Sequence, residues 1–222
     1  MTRVRFRVPK LYTSFLAQAI VAVCLVLFIA VNLSNFLRYH TSRSATSAKP
    51  EIEKRIATAL FLAGAGTVAF FLDSLLYVLL GYSKDLFLLV TSLGFDTMQT
   101  SLLEPFGLFV MVLGYAFFIW SVVARGRYAT SWQMPADHKL VDWGPYRYVR
   151  HPSYLGYFLM FIGFLMLWRN ILALIPLIAI PGYVLITRSE EKMLVAKFGE
   201  KYVQYQKHVG RFLPKVRMGK SD

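Results

Sequence analysis

The residues best suited to chemistry lie in one polar stretch, residues 138–156, between two strongly apolar segments. Arg147, Arg150 and His151 supply hydrogen-bond donors, and the neighbouring tyrosines supply aromatic faces that carry hydroxyl groups. A Gly-Pro pair in the middle predicts a turn. The stretch can be a basic cytoplasmic loop that only orients the helices beside it. Its two histidines and four aromatic residues exceed what orientation requires.

Two adjacent carboxylates further along the chain, Glu190 and Glu191, supply the opposite charge. They follow the last apolar segment, so the predicted topology places them on the same membrane face as residues 138–154. A carboxylate at this junction can pair with Arg150 or Arg188, or it can accept hydrogen bonds from the hydroxyl or amine groups of a ligand. The sequence therefore predicts that the two stretches fold against each other.

The composition indicates that a bilayer surrounds most of the chain. Hydrophobic residues make up 56% and charged residues only 17%, and the apolar residues form long uncharged runs. The net charge of +13 comes from Lys and Arg between the runs and in the tail, which predicts contact with anionic headgroups rather than with nucleic acid. The lone cysteine, Cys24, excludes an internal disulfide and a cysteine zinc site, and no metal is expected.

Five apolar runs, uncharged except for Asp73 in the second, predict an all-α, multi-pass membrane protein with transmembrane helices at residues 11–33, 56–82, 105–124, 152–168 and 170–187. Residues 86–95 are too short to cross and predict an interfacial or re-entrant piece. Arg125 and Arg127 end the third run on the side expected to be cytoplasmic, where the polar stretch and the C-terminus should also lie.

The last two runs are separated only by Arg169 and predict a tight helical hairpin. Pro176 and Pro181 should kink or open its second arm, because each proline removes a backbone donor. The tail that follows predicts a cytoplasmic amphipathic helix on the membrane surface. Its apolar stripe is Leu194, Phe198, Tyr202, Tyr205 and Val209.

The motif H-K-L-V-x-x-G-P-Y-R-Y-V-R-H-P-S-Y-L-G, the hairpin and the tail together resemble the isoprenylcysteine carboxyl methyltransferase family over residues 105–215. The resemblance implies two parts: N-terminal transmembrane helices and connectors (1–104) and a methyltransferase core (105–222). It implies an integral membrane enzyme that uses S-adenosylmethionine to methylate the carboxylate of a prenylated cysteine or a similar lipophilic acid, with its active site on the cytoplasmic side.

The resemblance also implies a cofactor site, and the residues that match the family motif are His138, Lys139, Leu140, Val141, Tyr146, His151, Pro152, Ser153, Tyr154 and Glu190. A catalytic set of Glu190, Arg188 and Arg150 is expected. The family arginine one turn before the glutamate is replaced by Ile186. Either the helix is broken locally and Arg188 substitutes, or the protein takes another substrate.

Three other functions stay open. A phospholipid or small-molecule N- or S-methyltransferase would need a base such as Glu190, Glu191 or His151 if its acceptor is an amine. A nicotinamide-dependent reductase of the sterol reductase kind would need phosphate-binding arginines, and the tail offers Arg211. A non-enzymatic helical membrane module explains the charge distribution but not the two polar stretches on one face.

Overall fold

The computed structural model describes residues 15–39, 54–95, 102–126 and 139–215. The described residues form helices and contain no strand, only the two isolated bridges Gly94–Asn170 and Val149–Gly210. The described ranges contain seven α-helices: α1 (Phe15–Tyr39), α2 (Lys54–Leu79), α3 (Lys84–Thr91), α4 (Leu103–Arg125), α5 (Pro152–Leu167), α6 (Ala179–Phe198) and α7 (Glu200–His208). Two 3-10 segments, Gly144–Arg147 and Leu172–Ile178, join them. The predicted all-α class is confirmed.

Four helical segments of the described chain are long and apolar enough to cross a bilayer: Phe15–Leu37, Ile56–Leu79, Leu103–Arg125 and Leu172–Phe198. The fifth apolar helix, α5, has 16 residues, and at 1.5 Å per residue it spans roughly 24 Å. This arrangement agrees with a multi-pass membrane protein, in which α5 is the shortest member of the bundle.

Glycines allow α4 and α5 to cross closely and antiparallel. A Cβ atom on Gly114 would lie 2.6 Å from the backbone nitrogen of Met160, and one on Gly156 would lie 2.8 Å from the carbonyl oxygen of Gly114. A second close contact between the two backbones lies farther from the loop, at Gly107 and Gly163. Such contacts leave no room for side chains, so the two backbones are held in a fixed register.

The second arm of the hairpin opens where proline requires it. The segment Leu172–Ile178, which contains Pro176, is a 3-10 helix, and the α-helix resumes at Ala179. Pro181 therefore falls in the first turn of α6, where its missing N–H removes no helix bond. The opening predicted at Pro176 is confirmed.

The tail differs from the single amphipathic helix predicted from the sequence. Helix α6 runs without interruption from the apolar segment to Phe198, and Gly199 ends it with a φ of +56°. Only α7, Glu200–His208, is a separate tail helix, and its Tyr202 is buried. Glycine at 199 tolerates the left-handed φ that turns the chain back, and the apolar stripe alone could not reveal this break.

Candidate active site

The loop and the carboxylate pair meet, as the sequence predicted. The hydroxyl of Tyr154 donates to Oε1 of Glu190 at 2.7 Å, and Nδ1 of His151 lies 3.5 Å from Oε2 of the same carboxylate. Tyr154 belongs to the first turn of α5, and Glu190 lies in the C-terminal half of α6. The two arms of the hairpin therefore bring these groups to one place.

Aromatic rings extend from this pair toward the bundle. The ring of Tyr183 stacks on two others. Its centroid lies 4.7 Å from that of Tyr154 and 5.2 Å from that of Tyr157. His151 lies parallel to Tyr154 at 5.7 Å with an interplanar angle of 8°. The hydroxyl of Tyr183 shares a 2.7 Å hydrogen bond with Thr67. Tyr157 and Tyr183 were missed from the sequence because they lie within apolar helical runs.

A half-buried cation, Arg125, lies beside the loop at the end of α4. From the sequence, this arginine is typical of helix anchoring. The Ser121 and Ser153 hydroxyls are 2.6 Å apart, and a terminal nitrogen of Arg125 donates to Ser153 at 3.3 Å. Nε of Arg125 is buried and has no hydrogen-bond partner among the described residues. Such an atom normally finds a partner, so Arg125 retains donor capacity that points to a ligand.

Glu191, unlike Glu190, is saturated by protein donors. Oε1 accepts hydrogen bonds from Nε of Arg150 at 2.9 Å and from Nε of Arg211 at 3.1 Å. It also lies 3.1 Å from Nε2 of His151. Oε2 receives Arg211 at 2.6 Å and Gln206 at 3.3 Å. The hydrogen bond to Glu191 raises the pKa of Arg211 above its ordinary value. This carboxylate therefore ties α6 to the loop and to the tail.

The tail also pairs with the loop through its backbone. Arg150 N donates to Gly210 O at 2.8 Å, and His151 N donates to Arg211 O at 3.1 Å. A terminal nitrogen of Arg150 donates to the carbonyl oxygens of Gln206, at 3.3 Å, and of Val209. Arg150 is thus engaged by Glu191 and by the tail, which favours a structural role over the expected role in holding an acceptor.

Glu191→Gln should release the tail. The variant leaves the buried Arg150 guanidinium without a counter-charge, and breaking a buried pair in this way costs about 3 kcal/mol. We expect a lower unfolding temperature and faster trypsin cleavage within residues 207–215. Glu200→Gln is the matched control, since it makes the same change at an exposed position of α7. Equal cleavage rates in the two variants would show that Glu191 does not hold the tail.

The motif residues implied for the cofactor have mixed environments. Leu140, Val141 and Tyr146 are buried, whereas Lys139 is exposed, and His138 lies outside the described residues. Pro152 and Ser153 begin α5, where both are buried. The backbone of Tyr146 is held in place because its carbonyl oxygen accepts a hydrogen bond from the Tyr205 hydroxyl at 2.5 Å. Their joint role in cofactor binding stays a prediction.

Arg188 lies elsewhere. Helix α6 is continuous through residues 186–190, so the local break considered from the sequence is not observed. Side chains two residues apart on an α-helix leave it roughly 200° apart, so Arg188 and Glu190 face nearly opposite ways. Arg188 lines an open groove of about 480 Å³ whose other lining residues are Glu191, Lys192, Val195, Gln206 and Arg211. Ile186, at the family's arginine position, is buried.

The part of the chain that forms this site is similar to known proteins. Residues 107–196 match the isoprenylcysteine carboxyl methyltransferase (ICMT) family, so the resemblance predicted from the motifs is confirmed. A protein-S-isoprenylcysteine O-methyltransferase of Tribolium castaneum is 33% identical over 123 residues, covering 50% of this chain and 42% of that protein. A protein-S-isoprenylcysteine O-methyltransferase of Schizosaccharomyces pombe is 40% identical over 82 residues, which cover 36% of this chain and 35% of that protein.

A methanethiol S-methyltransferase of Pseudomonas deceptionensis is 44% identical over 75 residues, which cover 32% of this chain and 27% of that protein. The chain therefore spans less than half the length of each of these three relatives. The matched relatives share methyl transfer but differ in the acceptor that their names state.

Proposed function

Because residues 107–196 match the isoprenylcysteine carboxyl methyltransferase family, we propose that this protein is an S-adenosylmethionine-dependent methyltransferase of the membrane. Its acceptor is the carboxylate of a prenylated cysteine or of a similar lipophilic acid, reached from the cytoplasmic leaflet. The observation that carries the proposal is the 2.7 Å hydrogen bond between Tyr154 and Glu190, which joins the family loop to the carboxylate of α6.

The residues present fit S-adenosylmethionine. Burial lowers the pKa of His151, although its hydrogen bond to Glu191 opposes this, so the ring is neutral at pH 7. If Nε2–H donates to Glu191, Nδ1 is an acceptor that lies 3.5 Å from Oε2 of Glu190. Two acceptors in this position suit the hydroxyl groups of a ribose.

When bound, S-adenosylmethionine supplies an electrophilic methyl group on a sulfonium, so the protein mainly has to position the acceptor. A carboxylate acceptor is ionised at neutral pH and needs a cation to hold it, but no base. Arg125 has the free, buried Nε that this role requires, whereas Arg150 is committed to Glu191. Arg125 also lies near the loop, through its contact with Ser153.

A thiol acceptor is the second candidate, and the similarity to a methanethiol S-methyltransferase favours it. A thiol must lose its proton before it attacks, and the thiolate would be stabilised by the same Arg125 cation. Glu190 is the available base for this step or for an amine, because among the described residues it accepts only the Tyr154 hydroxyl, whereas Glu191 is filled by arginine and glutamine donors.

The acceptor is identified by incubating membranes that contain the protein with methyl-labelled S-adenosylmethionine and extracting the lipids. We expect label in the organic phase that alkali releases as methanol, which is the behaviour of a methyl ester. Alkali-stable label would identify a thioether or an amine and would overturn the carboxylate acceptor. No label above that of membranes without the protein would overturn methyl transfer itself.

A further inference from the structure

The open groove on the outer side of α6 has no part in the proposed methyl transfer. We propose that it binds the phosphate of an anionic phospholipid from the cytoplasmic leaflet. Arg188 and Lys192 line it from one helix, and Arg211 lines it from the tail. The proposal goes beyond the methyltransferase function, and it is tested by binding without any catalytic readout.

The charges of the groove favour an anion. Arg188 and Lys192 are exposed, and neither has an ion-pair or hydrogen-bond partner among the described residues. The single carboxylate of the groove, Glu191, already receives two guanidinium groups, from Arg150 and Arg211. The groove therefore keeps an excess of positive charge that no protein group neutralises. Guanidinium and ammonium groups together are suited to phosphate oxygens.

An apolar stripe below the cations favours a lipid over free phosphate. Ile178 and Leu185 are 42% and 46% exposed, and Pro181 between them is exposed as well. With Arg188 and Lys192 these residues are spaced three, four, three and four apart, so they form one face of the helix. The apolar part suits an acyl chain, and the cations lie beyond it, where a headgroup phosphate would be.

The volume of the groove also fits this occupant. About 480 Å³ is enough for a phosphate with a small headgroup, and the walls from α6 and from the tail leave the groove open outward. Glu190 and the stacked tyrosines face away from it, since Arg188 and Glu190 leave α6 in nearly opposite directions. A lipid in the groove would therefore leave the Tyr154–Glu190 pair free.

The test is a titration of the purified full chain in uncharged detergent with dioctanoyl phosphatidylglycerol, dioctanoyl phosphatidylcholine and inorganic phosphate. We expect saturable binding of phosphatidylglycerol, and at least tenfold weaker binding of the other two. Arg188→Gln with Lys192→Gln should weaken phosphatidylglycerol binding about 10- to 30-fold, because two cations near the headgroup are lost.

The matched control is Lys201→Gln with Lys207→Gln, which removes the same charge from exposed positions of α7 outside the groove. This variant should bind phosphatidylglycerol within about twofold of the wild type if the groove is the site. Equal weakening in both double variants would mean that only net charge matters and would overturn the proposal. Inorganic phosphate binding as tightly as phosphatidylglycerol would overturn the lipid as occupant.

Discussion

Glu190→Gln should lower kcat/KM for methyl transfer by about 10- to 100-fold, mainly through a higher KM for S-adenosylmethionine. In the part of the chain that the structure describes, the carboxylate has one hydrogen-bond donor, Tyr154, and it keeps acceptor capacity for the hydroxyl groups of the ligand. A hydrogen bond to a charged group is worth about 1.5–3 kcal/mol, which corresponds to this range of rate. The glutamine keeps the shape but removes the charge. The rate is measured with labelled S-adenosylmethionine at several concentrations.

Asp85→Asn, at an exposed position of the short helix α3, is the control for Glu190→Gln. It should leave kcat/KM unchanged. A Glu190→Gln enzyme with wild-type kinetics would remove this carboxylate from the site. Tyr154→Phe is a second test of this carboxylate's role, because it keeps the stacked ring and deletes only the hydroxyl that donates to Glu190.

Arg125→Gln should raise the KM of the lipophilic acceptor about 10- to 100-fold and leave that of S-adenosylmethionine within about twofold. The guanidinium is fixed by Ser153, and its buried Nε is available for the acceptor anion. Arg125→Lys should recover part of the loss, since it keeps the charge but not the planar fork. The measurement is the initial rate as a function of acceptor concentration at saturating cofactor.

A change confined to the KM of S-adenosylmethionine would contradict the assignment of Arg125 to the acceptor. Arg169→Gln is the matched control for this change. Its guanidinium pairs with Glu104 at 2.7 Å, at the α5–α6 turn far along both helices from the loop. We expect this variant to lower the unfolding temperature without altering either KM.

The helices could be predicted from the sequence because long runs of apolar residues are typical of membrane-spanning helices. The meeting of the loop with Glu190 could be predicted from the topology and from the paired motifs, since composition alone says nothing about contacts between distant segments. The prediction failed where a short-range signal was ambiguous. The stripe from Leu194 to Val209 indicated one helix, but Gly199 divides it between α6 and α7.

Arg125 shows why part of the site could not be predicted. At the end of an apolar run, an arginine is typical of positive-inside anchoring. Its place in the site depends on the register of α4 against α5, which close packing at Gly114 and Gly156 fixes. That register puts Ser121 2.6 Å from Ser153, so Arg125, one turn later, reaches the loop. No local pattern encodes such a distance.

The opposite limitation applies to Arg150. Its position in the motif suggested a ligand-binding cation, and the sequence could not show that Glu191 and the tail carbonyls would take its donors. Adjacent glutamates have nearly the same local sequence, yet one is saturated and the other retains acceptor capacity. The difference arises from the direction in which each leaves α6, toward the tail for Glu191 and toward Tyr154 for Glu190.

The proposed methyl transfer depends on one site, formed by the loop and α6, that binds S-adenosylmethionine through Glu190. Calorimetric titration of the purified protein with S-adenosylmethionine tests this most directly, because it needs no acceptor. We predict saturable binding at one site per chain, weakened about 10- to 100-fold in Glu190→Gln and unchanged in Asp85→Asn. Absence of saturable binding to the wild type, or equal affinity in Glu190→Gln, would contradict it.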